Sequence, residues 1–448
     1  MQTNRVTHLS LIVSDMTGFL RNDGSVNEDK RKSDFIFCLF IFLSLILISN
    51  FSIAQDSLYA RSVINTLTSE SYHGRGYVKN GDVKAAQFIA DEFRRLNLLP
   101  LTENYFQPFD FPVNTFPSKM KICIDGKKLI PGRDYIVHPS SSSVKGKFKI
   151  FNADKPPSDY TGVQVKDKVV FVQKPDSIST EQSKLFNEWD DNTLDAKGIV
   201  MVEPTKLTWS VSSNVFSYPD IRILKSALPK NPKEIQFNIK NKFIQHTAKN
   251  VIAEIKGKVI PDSFIVITAH LDHLGMMGTK TCFPGANDNA SGIAMMLNLA
   301  KSFSQKNYSK YSLLFIAFAG EEAGLLGSKF YTEHPVVPLE KIKFLINLDL
   351  LGTGDDGLMV VNGALHQQQF NLIDSLNNVH HYLNNIGKRG KARNSDHYYF
   401  SEKGVPAFFL YTLGGIKAYH DIDDKGETLP LTKYKEVFRL ITDFINTF

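Results

Sequence analysis

Three apolar runs in the second half of this chain each stop at a group that can ionise or bind metal. Phe264 to Ala269 leads into His270 and, two residues on, Asp272, within AHLDHLG (269–275). Ser312 to Ala319 leads into the pair Glu321-Glu322, within AGEEAGLLGS. Phe344 to Leu348 leads into Asp349, within NLDLLG. Short apolar runs bounded by Gly and polar residues read as strands buried on both faces. An open α/β sheet builds its sites just past the carboxyl ends of such strands. Two further residues of the same chemistry lie in Gly- or Asp-rich turns: Asp288 in GANDNASG, and His420 after Tyr419.

The segments between these runs have helical spacing. GIAMMLNLAKSF (292–303) is apolar almost all round, which predicts a buried helix. GLLGSKFYTEH (324–334), residues 367–378 and the terminal stretch 431–448 predict three more, the last amphipathic. Upstream, Ala85, Ala86, Ile89, Ala90 and Phe93 recur at helical spacing before Pro100. Strand-helix alternation of this kind predicts a mixed, mostly parallel sheet sandwiched between helices. From 105 to 245 the character changes to short β-like segments, such as Lys147 to Phe151 and Lys168 to Gln173, separated by Pro, Ser and Asp clusters. That predicts a β-rich insert, and it holds none of the candidate residues. The expected organisation is a leader over 1–54, a first catalytic part over 55–104, the insert over 105–245, and the main catalytic part over 246–448.

The chain of 448 residues, 42% hydrophobic and 22% charged, has a globular composition. Its net charge is +6. The basic and acidic residues of 1–55 cancel, and the excess of the rest is scattered. No Lys/Arg run or aromatic-basic interleaving points to nucleic acid. Lys30-Arg31-Lys32 precedes an apolar core at 35–48 and the small-x-small ending Ser52-Ile53-Ala54. This reads as a cleaved secretory signal, since a membrane span wants roughly 20 apolar residues. The expected location is secreted or periplasmic, with no stable membrane partner after cleavage. Cys38 would leave with the signal. Cys123 and Cys282 are too few for a disulfide framework and could either pair or stay free.

Zinc takes imidazole nitrogen and carboxylate oxygen. Two metals roughly 3.5–4 Å apart can be bridged by one carboxylate. His270, Asp288, Glu322, Asp349 and His420 suffice for such a pair, with Asp288 the natural bridge. Cobalt or manganese would suit the same donors. Asp272 can accept the second ring N–H of His270, or support it through the backbone. Glu321, left free beside a ligand, is placed to act as general base and then as acid toward a leaving amine. Each motif alone has a plainer explanation. Asp288 or Asn289 could cap a helix, Glu321-Glu322 could be an acidic first turn, and His420 could be a solvated loop residue. Three separate strand ends with such residues are hard to assign to independent accidents.

The set AHLDHLG, GANDNASGIA, AFAGEEAGLLGS, NLDLLG, NSDHYYFSEKGVPAFF (394–409) and YHDIDD (419–424) resembles the zinc aminopeptidase family that also includes glutamate carboxypeptidase, transferrin receptor and glutaminyl cyclase. The resemblance runs from about residue 71 to the end, apart from the insert. It implies the zinc exopeptidase fold. It also implies that His270, Asp288, Glu322, Asp349 and His420 hold two zinc ions per chain, that Glu321 is the base for a di-zinc-activated water, and that Asp272 supports His270. The substrates implied are peptides with a free N-terminus. Asp396 and His397 line the site in that family without binding metal; the other histidines, including His380 and His381, read as surface residues. Asn287 stands where the family often has Asp, and Asp421-Ile422 where it usually has Thr-Pro. DYTGVQVKDKVVFV (159–172) and DAKGIVMVEP (195–204) resemble in part the protease-associated domain, which implies a lid or substrate-access role for the insert and not chemistry. The alternatives are a one-zinc glutaminyl cyclase and a non-catalytic receptor-like relative. A carboxypeptidase of acidic peptides would want clustered arginines, and Arg389 and Arg393 alone lie near a motif.

Overall fold

The computed structural model describes residues 57–175, 179–306 and 310–448. The leader and signal expected over 1–54 fall outside them. Among the described residues no helix is long and apolar enough to cross a membrane.

A nine-stranded mixed sheet forms the centre. Across it run Leu99–Pro100, Lys242–Ile255, Tyr311–Phe318, Ile260–His270, Ile342–Leu348, Ala407–Leu413, Gly357–Val361 and Ile386–Lys388, with Phe106–Thr115 also paired along Lys242–Ile255. The central strands Tyr311–Phe318, Ile260–His270, Ile342–Leu348 and Ala407–Leu413 are parallel. Their side chains divide between two covered faces. Ile265, Ile267, Ala269, Phe315 and Ile346 enter one core with Phe93, Met295 and Ile441. Those partners come from the helices Gly81–Arg95, Ser291–Lys306 and Tyr434–Ile445. Phe264, Val266, Ile316 and Leu345 enter another core with Tyr331 and Phe400, from the helices Leu326–Glu333 and His397–Glu402. Burial on both sides explains why these strands carry apolar runs rather than alternation.

The helices start later than periodicity alone suggests. Leu325 and Leu431 both take left-handed backbone, at φ 61 and φ 56, so regular helix begins only after them. The helix Ser291–Lys306 buries Ile293, Met295, Met296, Leu297, Leu299, Ala300 and Phe303, as its all-round apolar character requires.

A second, eight-stranded sheet is drawn wholly from strands between Lys121 and Ile239. Val144–Ala153, Lys168–Val172, Gly198–Glu203 and Asp220–Leu224 lie side by side and parallel. Phe186 and Trp189 cover one face with Val170 and Ile199. The other face buries Phe171, Val200 and Ile221 against Leu274, Met277 and Phe283, which belong to the turn region after His270. The chain enters and leaves this sheet through an antiparallel ribbon, Phe106–Thr115 against Lys242–Val251. Cys123 and Cys282 are both free.

Candidate metal centre

The parallel strands end together, and their ends carry the chemistry. His270 is the last residue of Ile260–His270. Glu321 and Glu322 follow Tyr311–Phe318, and Asp349 follows Ile342–Leu348. Asp288 enters from the turn before the helix Ser291–Lys306, and His420 from the loop after Ala407–Leu413.

Asp288 is the centre of the group. Its Oδ1 lies 3.2 Å from His270 Nε2, and its Oδ2 lies 3.0 Å from His420 Nε2. His270 Nε2 is also 3.4 Å from Asp349 Oδ1, and His420 Nε2 is 3.3 Å from Glu322 Oε2. Both histidines have Nδ1 committed to a backbone carbonyl: His270 to Asp272 at 3.1 Å, His420 to Trp209 at 3.0 Å. The proton on each ring therefore sits on Nδ1 and leaves the Nε2 lone pair facing carboxylate oxygens. Lone pairs facing at these distances repel unless a cation lies between them. A proton can serve. Burial works against charging His420, yet Glu322 and Asp288 lift its ring to about 9. Burial likewise opposes charge on His270, and Asp349 and Glu321 outweigh it, holding that imidazole well above its ordinary value. A divalent metal serves better, because a buried N/O donor set is what zinc takes. Asp349 Oδ1 is buried with no hydrogen-bond donor, as befits an oxygen reserved for an ion. The donor atoms of His270, Asp288 and Asp349 all lie within 4.8 Å of one another.

The turns that present these groups are held by other carboxylates. Asp424, buried, accepts from the backbone N–H of Asn287 at 2.8 Å and of Asp288 at 3.0 Å. Asp272 supports His270 through its carbonyl, not its side chain, whose oxygen stands 3.9 Å from Nδ1. That carboxylate instead accepts from Tyr77 Oη at 2.8 Å and from the N–H groups of Glu321 and Glu322 at 3.1 and 3.3 Å. Burial pushes both acids up to about 6. A chain of hydrogen bonds orients Asp349. Thr268 donates to Asn347, Asn347 to Ser395, and Ser395 to Asp349 Oδ2 at 3.1 Å.

Two residues of this centre escape sequence reasoning. His273 is fully buried and donates from Nδ1 to Glu322 Oε1 at 2.7 Å. A ligand atom of His273 lies within 4.8 Å of ligand atoms of Asp288 and Glu322, so these three could also hold an ion. The expectation that the remaining histidines lie on the surface is thus wrong for His273. It is wrong also for His246, which is buried against Asp82 at 2.6 Å. His380 and His381 are exposed as expected. A second imidazole in the same strand-end motif was the available signal. Arg75 is the other omission. Fully buried, it donates to the carbonyls of Leu67, Leu271, Pro284, Gly285 and Asp288, and so ties the His270 turn to the Asp288 turn. Asp396 and His397 are buried nearby and join neither ligand group. Burial raises Asp396 to about 7 and lowers His397 to about 4.

The centre opens into a cavity of about 520 Å³. Its floor is His270, Asp288, Glu321, Glu322, Asp349 and His420; its walls include Leu325, Leu350, Phe409, Tyr411, Tyr419 and Arg393. The Glu321 carboxylate makes no hydrogen bond among the described residues. Burial, with Glu322 and Asp396 beside it, holds it well above its ordinary value against the opposing pull of His270.

Residues 250–445 match the sequence pattern of peptidase family M28. The aminopeptidase YwaD of Bacillus subtilis is 28% identical over 308 residues, covering 66% of this chain and 62% of its own length. The chain thus spans less than two thirds of that relative. In fold, a zinc aminopeptidase from Bacillus subtilis superposes with a TM-score of 0.65 at 22% identity, covering 87% of this chain and 94% of its own. An aminopeptidase from Aneurinibacillus strain AM-1 gives 0.61 at 20% identity, covering 87% and 93%. The segment that matches family M28 carries every strand end that meets at Asp288, so the likeness to that family falls on the part of the chain that builds the centre.

Proposed function

We propose that the chain is an exported aminopeptidase whose centre holds two zinc ions and removes the N-terminal residue of peptides. The observation that carries this reading is the division of Asp288 between His270 and His420, one oxygen to each. His270 and Asp349 would complete one side of the shared carboxylate, and His420 and Glu322 the other. The names of the relatives, aminopeptidases and zinc metalloproteases, agree with it. The ions would acidify water and polarise the peptide carbonyl.

The chain's own residues do the rest. Glu321 takes a proton from the water that attacks the carbonyl carbon. It delivers that proton to the amine nitrogen as the C–N bond breaks. Asp272 keeps Glu321 and Glu322 in register by holding both backbone N–H groups. The free α-amino group of the substrate pairs with the carboxylates of the floor, which confines cleavage to the first peptide bond. The lobe within 105–245 serves access to the cavity. It also reaches the chemistry, because the Trp209 carbonyl orients His420.

Metal analysis should find about two zinc ions per chain at saturation. Chelation should abolish hydrolysis of aminoacyl chromophores, zinc should restore it, and N-acetylated substrates should resist. Glu321→Gln should keep both ions while kcat falls on the order of 10²–10⁴-fold. One ion per chain, with cyclisation of N-terminal glutamine and no peptide release, would replace this reading with the cyclase.

A further inference from the structure

The excess positive charge is less scattered than it looks in the sequence. Lys388, Arg389, Lys391 and Arg393 crowd the segment 388–393, which leads into the residues over Asp349. Among the described residues only Lys391 is paired with a carboxylate, that of Glu402. Arg393 lines the same cavity as the acids of the floor, and among the described residues it forms no ion pair. Its Nη2 donates to Tyr399 Oη at 3.0 Å, and its guanidinium sits over the rings of Tyr398 and Tyr399, 5.6 and 5.7 Å from their centroids. Arg389 donates from Nη1 to Tyr411 Oη at 3.1 Å, and Tyr411 is itself a cavity wall. One guanidinium is thus on the wall and a second is one hydrogen bond behind it.

We propose that this cavity selects peptides bearing a carboxylate next to the bond to be cut, and that Arg393, backed by Arg389 through Tyr411, is the group that selects them. The proposal rests on the aminopeptidase reading. The acids of the floor, Asp288, Glu321, Glu322 and Asp349, answer two divalent ions and the substrate's α-amino group, so the wall guanidinium is the cavity charge that a substrate carboxylate would answer. A planar fork already braced on two rings gives up little freedom when it grips a carboxylate. The remaining walls, Leu325, Leu350 and Phe409, suit an apolar stem behind that carboxylate. The carboxylate could be the side chain of an acidic first residue or the free C-terminus of a dipeptide. Both present the same oxygens.

The test compares matched pairs on zinc-loaded protein. Glutamyl and glutaminyl chromophores differ only in charge at the first residue. A leucyl dipeptide and its C-terminal amide differ only at the far end. The parent should favour the acid in at least one pair, and Arg393→Met should shrink that acid-to-neutral ratio of kcat/KM by about 10- to 100-fold. Arg393→Lys should recover part of it, a charge without the fork. A shrinking glutamyl ratio assigns the carboxylate to the side chain, and a shrinking dipeptide ratio to the C-terminus. Ratios near one in the parent, ratios that Arg393→Met leaves intact, or a preference for lysyl substrates would overturn the selectivity while leaving the aminopeptidase standing. No cleavage of any of these substrates would overturn both.

Discussion

Arg75 spends its guanidinium on backbone rather than on an acid. Every carbonyl it holds belongs to the helix before it, to the turn carrying His270, or to the turn carrying Asp288. Asp288, Asp424 and Asp272 stand close enough to favour its charge against the cost of burial. Replacing it with Met would leave those carbonyls buried and unanswered, and each buried acceptor left without a donor costs roughly 1–3 kcal/mol. Arg75→Met should therefore lower the denaturant midpoint sharply. Zinc affinity, measured by chelator competition on the fraction still folded, should fall as well. Arg75→Lys should rescue little, because one ammonium cannot reach carbonyls spread around a planar fork. Unchanged zinc affinity in folded Arg75→Met protein would make the residue a fold anchor alone.

At the scale of the element, the turn Gly285–Ala290 shows how tightly the centre is packed. Gly285 has φ 64, and a Cβ there would stand 2.2 Å from the Asp288 carbonyl and 2.4 Å from the His273 ring. Gly285→Ala should cost both stability and zinc binding, by a few kcal/mol. A neutral result by thermal melting would show that the turn can reshape. The same turn marks what was readable beforehand. His270, Asp272, Glu321, Glu322 and Asp349 were legible because strand ends advertise themselves: a buried run must stop, and what stops it faces a crevice; Asp288 and His420 were legible from their Gly- and Asp-rich turns. Arg75 lies in a 3-10 turn with no periodicity, and its partners are main-chain atoms that leave no mark on composition. His273 was hidden by its neighbour, since one imidazole already satisfied the motif. The order of the second sheet was illegible for a similar reason. Its strands are short and alike, and their pairing depends on contacts distant in sequence.

For the whole molecule, pH sensitivity outside the metal centre can be traced to His397. The ring is fully buried beside Phe409, 5.4 Å between centroids. Burial lowers it from 6.5 to about 4. As pH falls below about 6.5 the unfolded chain takes up a proton there that the folded chain refuses until about pH 4. Stability is thus present above that window and is lost on descending through it. His397→Gln should flatten the fall of the unfolding midpoint between those values, whatever its effect at pH 8. An equally steep acid limb in the variant would trace the sensitivity to other groups.

The helix over residues 57–67 is fastened to the far end of the chain: Arg61 donates to the carbonyls of Gly426 and Leu429, each at 2.7 Å. The core it joins also contains Val437, Leu440 and Phe444. The second sheet, by contrast, is complete once Ile239 has been made. During synthesis the strands of the smaller sheet are therefore all made long before the larger one can close, with one of its faces waiting only for Leu274, Met277 and Phe283. The early residues must wait, with Ile64, Leu67 and Phe93 uncovered, for partners that emerge last. Nascent chains of this protein present their most adhesive surface for most of translation, which makes them natural clients of holding chaperones.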